Sequence, residues 1–182
     1  MTDPEPSLVE KIIEIHSGME HQGVVHAFGG ALALAYYTRE PRATADIDLN
    51  VSLGAGDALL AFSALPSAVD WDSDDLEHVA RDDQVRVWWG RTPIDLFFRA
   101  SSFHDGVAER TAWMPFADTE LPFLSANDLA VFKSLFDRPK DWLDIGAMVE
   151  SGNLDIGSVA AVLESLIGED QRVAHLRSLG SR

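Results

Sequence analysis

The segment Arg42-Ala43-Thr44-Ala45-Asp46-Ile47-Asp48-Leu49-Asn50-Val51 decides how this chain is interpreted. From residue 46 onward polar and apolar residues alternate, and this period of two predicts a β-strand. Asp46, Asp48 and Asn50 would share one face of that strand. Alternate residues on a strand face are roughly 6.5–7 Å apart. Two carboxylates at this spacing would repel each other unless a cation lay between them, and the usual remedies are a raised pKa or a bound metal, so the strand predicts a functional site.

A double glycine, Gly29-Gly30, lies between a short apolar run at 24–28 and a helix-forming segment at 31–37. Glycine lets the backbone approach a ligand closely, and the amides that begin a helix can bind an anion. A plain tight turn is the alternative interpretation. The pair therefore indicates a phosphate-binding turn only in combination with the acidic strand.

A third acid follows on a later strand. The segments 85–89 and 93–98 flank a Gly90-Arg91-Thr92 turn, which is typical of a β-hairpin. Asp95 would lie on the face opposite to the apolar residues of its strand. Carboxylates arranged in this order suit phosphoryl-type transfer, in which one or two Mg²⁺ ions bind a triphosphate.

The remaining elements are predicted from capping and periodicity. Ser7 and Glu10 form a capping box that begins an amphipathic helix ending before Gly23. The acidic segment 70–83 is predicted to be a solvated loop or strand edge, with a short strand near 76–80. From about residue 121 the chain is predicted to be helical, with helices beginning at Ser125 and covering residues 140–150, about 158–166 and 170–179. Together these elements predict an α+β fold.

The length of 182 residues suits one compact unit. Within it we expect a catalytic core at 1–120 and, at 121–182, a C-terminal helical segment that completes the site. The chain contains no cysteine, no apolar run of membrane-spanning length and no signal-peptide pattern at its start. These features favour a cytoplasmic protein with no membrane partner.

The net charge is −16, from 30 acidic and 14 basic residues. Nucleic-acid affinity comes largely from neutralising phosphates, so this charge opposes an RNA partner over most of the surface. An acidic surface that simply aids solubility is the plainer interpretation.

The order of these features resembles the DNA polymerase β-like nucleotidyltransferase superfamily. Over roughly residues 24 to 150 the chain is similar to its small AbiEii/MenT-type branch, known as toxins of type IV toxin–antitoxin systems. The similarity of the tail rests on Asp128-Leu129-Ala130-Val131-Phe132-Lys133 and on Arg138-Pro139-Lys140-Asp141-Trp142-Leu143-Asp144. The resemblance implies a nucleotidyltransferase fold, with a small mixed β-sheet flanked by helices and a C-terminal helical segment.

The resemblance also implies residue roles. Asp46 and Asp48 would be metal ligands, and Asp95 would be a third ligand or the base that activates the acceptor hydroxyl. Lys133 would neutralise a phosphate. Asp144 or Asp141 would orient Lys133 or the substrate.

Gly29 and Gly30 would bracket the triphosphate. Many members have Gly-Ser there, whereas in this chain Gly30 is followed by Ala31. The phosphate contacts would then come from backbone amides, Lys133 and Arg42.

The implied function is Mg²⁺- or Mn²⁺-dependent transfer of a nucleoside monophosphate from a nucleoside triphosphate to an acceptor hydroxyl. By resemblance the acceptor is the 3′ end of tRNA or another macromolecule, and the protein is a toxin with a cognate antitoxin. A local basic rim would allow RNA contact, formed by Arg138, Lys140, Arg172, Arg177 and Arg182. The alternatives are an enzyme that modifies a small aminoglycoside-like antibiotic, which an acidic cleft would attract, and a non-catalytic binding module.

Plainer interpretations exist for single residues. Arg42 would pair with a nearby acid, Lys133 would be a solvated lysine, and Asp141 would be a first-turn acid favoured by the helix dipole. Thr44 is interpreted as holding the turn before the acidic strand. The histidines His26, His78 and His104 lack metal-ligand spacing along the chain and are interpreted as structural.

Overall fold

The computed structural model describes residues 5–40 and 43–180. Contacts within the chain divide it into two compact units. The first contains the chain up to Gly29 together with Thr44–Phe123, and the second contains Gly30–Ala43 together with the chain from Leu124. The domain division expected at residue 120 stays a prediction. The described residues 30–40, which precede β2, belong to the second unit.

The first unit is built on a mixed β-sheet. Its strands in the described residues are β1 (His26–Phe28), β2 (Ile47–Val51), β3 (Gln84–Trp89), β4 (Thr92–Phe97), β5 (Ala112–Phe116) and β6 (Thr119–Phe123). They form a six-stranded sheet in the order β3-β4-β2-β1-β6-β5. The β2–β4 and β1–β6 pairs are parallel, and the other neighbouring pairs are antiparallel.

Helices occur in both units. Those of the first unit are α1 (Leu8–His21), α3 (Ala58–Ala64), α4 (Ser73–Asp82), α5 (Ser102–Asp105) and α6 (Val107–Arg110), and those of the second are α2 (Gly30–Tyr37), α7 (Ala126–Phe136), α8 (Pro139–Glu150), α9 (Ile156–Ile167) and α10 (Gln171–Leu179). Among the helices of residues 5–40 and 43–180, none combines the length and the apolar character that crossing a bilayer requires. The sheet and its helices confirm the predicted α+β class.

The predicted capping box begins α1. The Ser7 hydroxyl accepts a hydrogen bond from the Glu10 amide at 3.3 Å, and the Glu10 carboxylate accepts one from the Ser7 amide at 2.7 Å. The helix buries Ile12, Ile15 and Met19 on one face. Full burial of such a side chain contributes about 1.5–3 kcal/mol, so this face fixes α1 in the unit.

The predicted strand near 76–80 is wrong, because these residues belong to α4. The Asp72 side chain accepts hydrogen bonds from the amides of Asp74 and Asp75, and the Asp75 carboxylate accepts one from the Asp72 amide. This is an N-terminal capping box made only of aspartates. The acids that suggested a loop therefore begin a helix.

The predicted alternation of the acidic strand is confirmed from Ile47 to Leu49; the strand begins one residue after Asp46, and Asn50 is buried. Ile47 and Leu49 in β2 and their register partners Ile94 and Leu96 in β4 are fully buried. Asp48 lies on the opposite face of β2, where it is only partly buried. The apolar face anchors both strands in the core and leaves Asp48 and Asp95 on the partly exposed face.

The second unit is a helical cluster around α7, which packs against α2, α8, α9 and α10. The Ser125 hydroxyl accepts a hydrogen bond from the Asp128 amide and caps α7, as predicted. Pro139 begins α8 at its first helical position, where a missing N–H costs nothing. The helical character expected from residue 121 is wrong for residues 121–123, which belong to β6.

Candidate active site

The three predicted acids of the sheet come together in the first unit. β2 and β4 are parallel neighbours, and Asp48 and Asp95 are register partners on them. Asp46 lies immediately before β2. Its amide lies 3.2 Å from the Thr44 hydroxyl, which fits the structural role predicted for Thr44. Strand pairing therefore places acids from two distant sequence segments side by side.

The guanidinium of Arg86 lies among these acids. Arg86 is opposite Asp95 in the antiparallel β3–β4 pair. Its Nε donates to Asp95 Oδ1 at 2.7 Å and its Nη2 donates to Asp95 Oδ2 at 2.6 Å, a bidentate ion pair. The same Nη2 is 3.9 Å from Asp46 Oδ2. One cationic side chain thus bridges two of the three acids.

The pKa of Arg86 is raised. Hydrogen bonding to Asp95 is the largest cause, burial opposes it, and the negative charges of Asp95, Asp46 and Asp48 raise it further. All three carboxylates therefore act on a single cation. The predicted repulsion within the acidic group is relieved here by a side chain of the protein itself.

Arg86 was not among the residues predicted for the site. The signal for it is present in the hairpin, because a two-residue turn at Gly90 and Arg91 fixes the register and places Arg86 opposite Asp95. Alternation along β3 also puts Arg86 on the face away from Val85 and Val87, which are buried. The pairing could have been deduced from the hairpin alone.

The acidic group fits a hard divalent cation. Mg²⁺ prefers oxygen ligands and is held in proteins by one or two carboxylates together with substrate phosphates. Asp46 and Asp48 offer such carboxylates on the face that already stabilises a positive charge. Both oxygens of Asp95 accept hydrogen bonds from Arg86, so a cation would compete with Arg86 for Asp95.

Replacing Arg86 with glutamine is expected to tighten Mn²⁺ binding by about 5-fold or more, because even two unit charges 4 Å apart in water repel by about 1 kcal/mol and each 1.36 kcal/mol is a factor of ten. Calorimetric titration of Mn²⁺ measures the change. Arg81→Gln is a matched control, since Arg81 also pairs with an aspartate, Asp82, in the same unit. Unchanged or weaker binding by the Arg86 variant would show that Arg86 does not compete with the metal.

The structure describes Gly29 and Gly30 of the predicted phosphate-binding turn but not Arg42. The Gly29 amide donates to the Asp48 carbonyl at 2.9 Å, so this amide is already hydrogen-bonded to a residue of the sheet. Gly30 begins α2 with a φ of 54°, a left-handed conformation that favours glycine. Arg42 lies outside the described residues. The phosphate-binding roles of these residues stay predictions.

The predicted residues of the tail form a group of their own in the second unit. Lys133 Nζ in α7 donates to Asp144 Oδ2 at 2.6 Å and to Asp141 Oδ1 at 3.4 Å, both from α8. The Arg138 Nε donates to Asp141 Oδ2 at 2.6 Å. Lys133 is only 5% exposed and Asp141 is 0% exposed. Burial excludes the interpretation of Lys133 as a solvated lysine.

Burial alone would raise the pKa of Asp141, but hydrogen bonds from Arg138 and the charge of Lys133 outweigh it, and the net shift is downward. Asp141 is indeed a first-turn acid of α8, as predicted. It is also a buried partner of Lys133. Both predicted orienting acids therefore hold the lysine, with Asp144 at the shorter distance.

Comparisons with protein-family models and with curated proteins find no match. Solved structures do match in fold. The antibiotic-resistance factor ANT(2″)-Ia in solution gives a TM-score of 0.59 at 14% identity, covering 96% of this chain and 97% of that chain. Its crystal structure with adenylyl-2″-tobramycin gives 0.60 at 15% identity, covering 93% and 97%.

The lincomycin-bound lincosamide antibiotic adenylyltransferase LnuA gives a TM-score of 0.52 at 13% identity, covering 80% of this chain and 98% of that chain. At identities this low, the matches show only that the architecture is shared. The likeness in fold agrees with the mixed six-stranded sheet described above. The chain has the nucleotidyltransferase fold.

Proposed function

We propose that the protein transfers a nucleoside monophosphate from a nucleoside triphosphate to an acceptor hydroxyl. The observation that carries this proposal is the convergence of three strand acids on one cation in a nucleotidyltransferase fold. The acceptor oxygen forms a bond to the α-phosphorus while the bond to the β-phosphate oxygen breaks. The products are the nucleotidylated acceptor and pyrophosphate, and the hydroxyl proton goes to a base.

Each residue has a proposed task. Asp46 and Asp48 would hold Mg²⁺ or Mn²⁺, which when bound neutralises charge on the triphosphate. Asp95 would accept the hydroxyl proton or add a third carboxylate to the metal. Arg86 holds Asp95 in one orientation through two hydrogen bonds. Lys133, oriented by Asp144, stays our proposed phosphate-neutralising residue.

We propose the 3′ end of tRNA as the acceptor, in keeping with the resemblance to AbiEii/MenT-type toxins and their antitoxins. The charge distribution makes this the most demanding part of the proposal. Three arginines of the predicted basic rim are already paired with acids: Arg138 with Asp141, Arg172 with Asp170 and Arg177 with Glu164. RNA phosphates would have to compete with these carboxylates.

A cationic small molecule is the second candidate acceptor. The net charge of −16 would attract a polycation. ANT(2″)-Ia and LnuA, which share the fold, are an antibiotic-resistance factor and an antibiotic adenylyltransferase. This candidate uses the same acids and the same chemistry and differs only in the acceptor.

One assay separates the candidates. The protein is incubated with Mg²⁺, each α-labelled nucleoside triphosphate, and either total cellular RNA or an aminoglycoside. We expect label on RNA of tRNA size, and we expect the affinity to fall about 3-fold per phosphate contact between 50 and 200 mM salt. Label on the aminoglycoside alone would replace the acceptor but keep the chemistry. Intact nucleotide binding without transfer to any acceptor would favour a non-catalytic module.

A further inference from the structure

A second polar cluster lies where α1 meets β1 and uses none of the candidate active-site residues. His16 and Glu20 are four residues apart on α1 and therefore share a helix face. His26 is the first residue of β1. One ligand atom from each side chain lies within 4.8 Å of the other two. Two histidines and a carboxylate thus face one another inside the first unit.

The ring nitrogens of His26 have defined roles. Nδ1 lies 2.9 Å from the Val24 carbonyl oxygen, which can only accept, so Nδ1 carries a hydrogen. In the neutral ring the lone pair is then on Nε2, which lies 3.0 Å from His16 Nδ1. A histidine that binds a metal typically donates its other ring N–H to a backbone carbonyl in this way. His26 is therefore oriented as a ligand.

Burial favours the neutral, ligand form of both rings. It is the largest cause of the lowered pKa of both rings; the hydrogen bond with Val24 opposes it at His26, and the charge of Glu20 opposes it at both rings. Metal binding requires neutral imidazole and ionised carboxylate. His26 is 4% exposed, whereas His16 is half-buried and Glu20 is exposed, so an ion can enter from the solvent side.

We propose that His16 Nδ1, His26 Nε2 and the Glu20 carboxylate bind a divalent transition metal ion of the Zn²⁺ class. Zinc–ligand distances of 2.0–2.2 Å place the ligand atoms of a tetrahedral site about 3.4 Å apart. The two imidazoles need to separate by only a few tenths of an ångström, and Glu20 needs to close in. Two imidazole nitrogens among the donors favour zinc over magnesium, which prefers oxygen ligands.

The ion would tie α1 to β1 and leave a fourth position for water. The competing explanation is one proton shared between the two imidazoles, which would need neither Glu20 nor a metal. Spacing along the chain does not indicate the site, because His26 reaches the group only when β1 packs beside α1. The interpretation of His26 as purely structural is revised accordingly.

Calorimetric titration of Zn²⁺ into the chelator-treated full chain tests the proposal. An Asp46→Asn, Asp48→Asn background removes the candidate magnesium site, so failure here is distinguishable from failure of the proposed transferase activity. We expect one saturable equivalent, with affinity lowered at least tenfold by His16→Gln and measurably by Glu20→Gln. His78→Gln, an exposed histidine on α4, is the matched control and should bind normally. Circular dichroism verifies that each variant is folded. If His26→Gln fails to fold, the His16→Gln and Glu20→Gln variants decide the outcome.

Trp113 supplies an independent readout. Its ring lies 5.9 Å from that of His16 in an edge-to-face arrangement and is 53% exposed. Bound Cu²⁺ or Co²⁺ should quench Trp113 fluorescence, and Trp113→Phe should remove most of the quenching. Zn²⁺ should also raise the midpoint of thermal unfolding in the parent chain but not in the His16 variant. Equal binding by parent and His16→Gln, or no saturable binding, would overturn the metal site in favour of the shared proton.

Discussion

Replacing Asp48 with asparagine is expected to lower nucleotidyl transfer about 10³-fold. Loss of a metal ligand removes several kcal/mol of transition-state stabilisation, and each 1.36 kcal/mol is a factor of ten. Asp46→Asn should act similarly. Stability should change by less than about 0.5 kcal/mol, because both side chains are only partly buried and asparagine is nearly isosteric.

Steady-state kinetics and Mn²⁺ calorimetry on the same samples measure both effects. Asp118→Asn, an exposed acid in the turn between β5 and β6, serves as the control and should retain full activity. An Asp48 variant with normal turnover and normal Mn²⁺ binding would contradict the assignment of the metal site.

Replacing Lys133 with methionine is expected to destabilise the protein by about 3–5 kcal/mol, because removing one partner of a buried ion pair leaves uncompensated charge. Asp141 and Asp144, both buried, would lose their shared cation. Such a loss is a large fraction of a typical total stability of about 5–15 kcal/mol. Urea unfolding followed by circular dichroism measures it. Lys140→Met, the same substitution at an exposed position of α8, should change stability by less than about 0.5 kcal/mol.

The pH dependence of the same variant provides a check. A lowered pKa of Asp141 contributes stability above the unfolded value, about 3.9, that is lost as the pH falls through the folded value. Without the charge of Lys133 this contribution shrinks, so the Lys133→Met variant should lose less stability on acidification. A variant as stable as the parent at neutral pH would show that the buried group tolerates loss of its lysine.

Lys133 also has a proposed catalytic task that stability alone does not test. Turnover of Lys133→Met is therefore measured at a temperature where circular dichroism shows the variant folded. A lowered kcat with unchanged Mn²⁺ binding would support contact with the phosphates. Full turnover would leave Lys133 a purely structural residue.

Local signals in the sequence predicted much of the framework. The Ser7–Glu10 capping box began α1, and alternation from Asp46 to Val51 gave both the strand and its acidic face. A continuous polar–apolar period is enough for such elements, because one face must be buried. The sequence-based prediction failed at α4, because a capping box of aspartates begins a helix in a segment whose acidic character suggested a loop. The polar–apolar period also missed β5 and β6, which contain Pro115 and Pro122. A proline is tolerated at position 115 because β5 is an edge strand.

Partners that are distant along the chain needed the tertiary structure. The sequence by itself determined which residues are acidic, which face of β2 they occupy and which helices are amphipathic, since these properties follow from neighbours a few positions away. Only the tertiary structure decided that Asp48 lies beside Asp95, that Arg86 also approaches Asp46 and that Lys133 is buried between two carboxylates. Those contacts depend on strand register and helix packing, which burial of the whole core selects and no local pattern encodes.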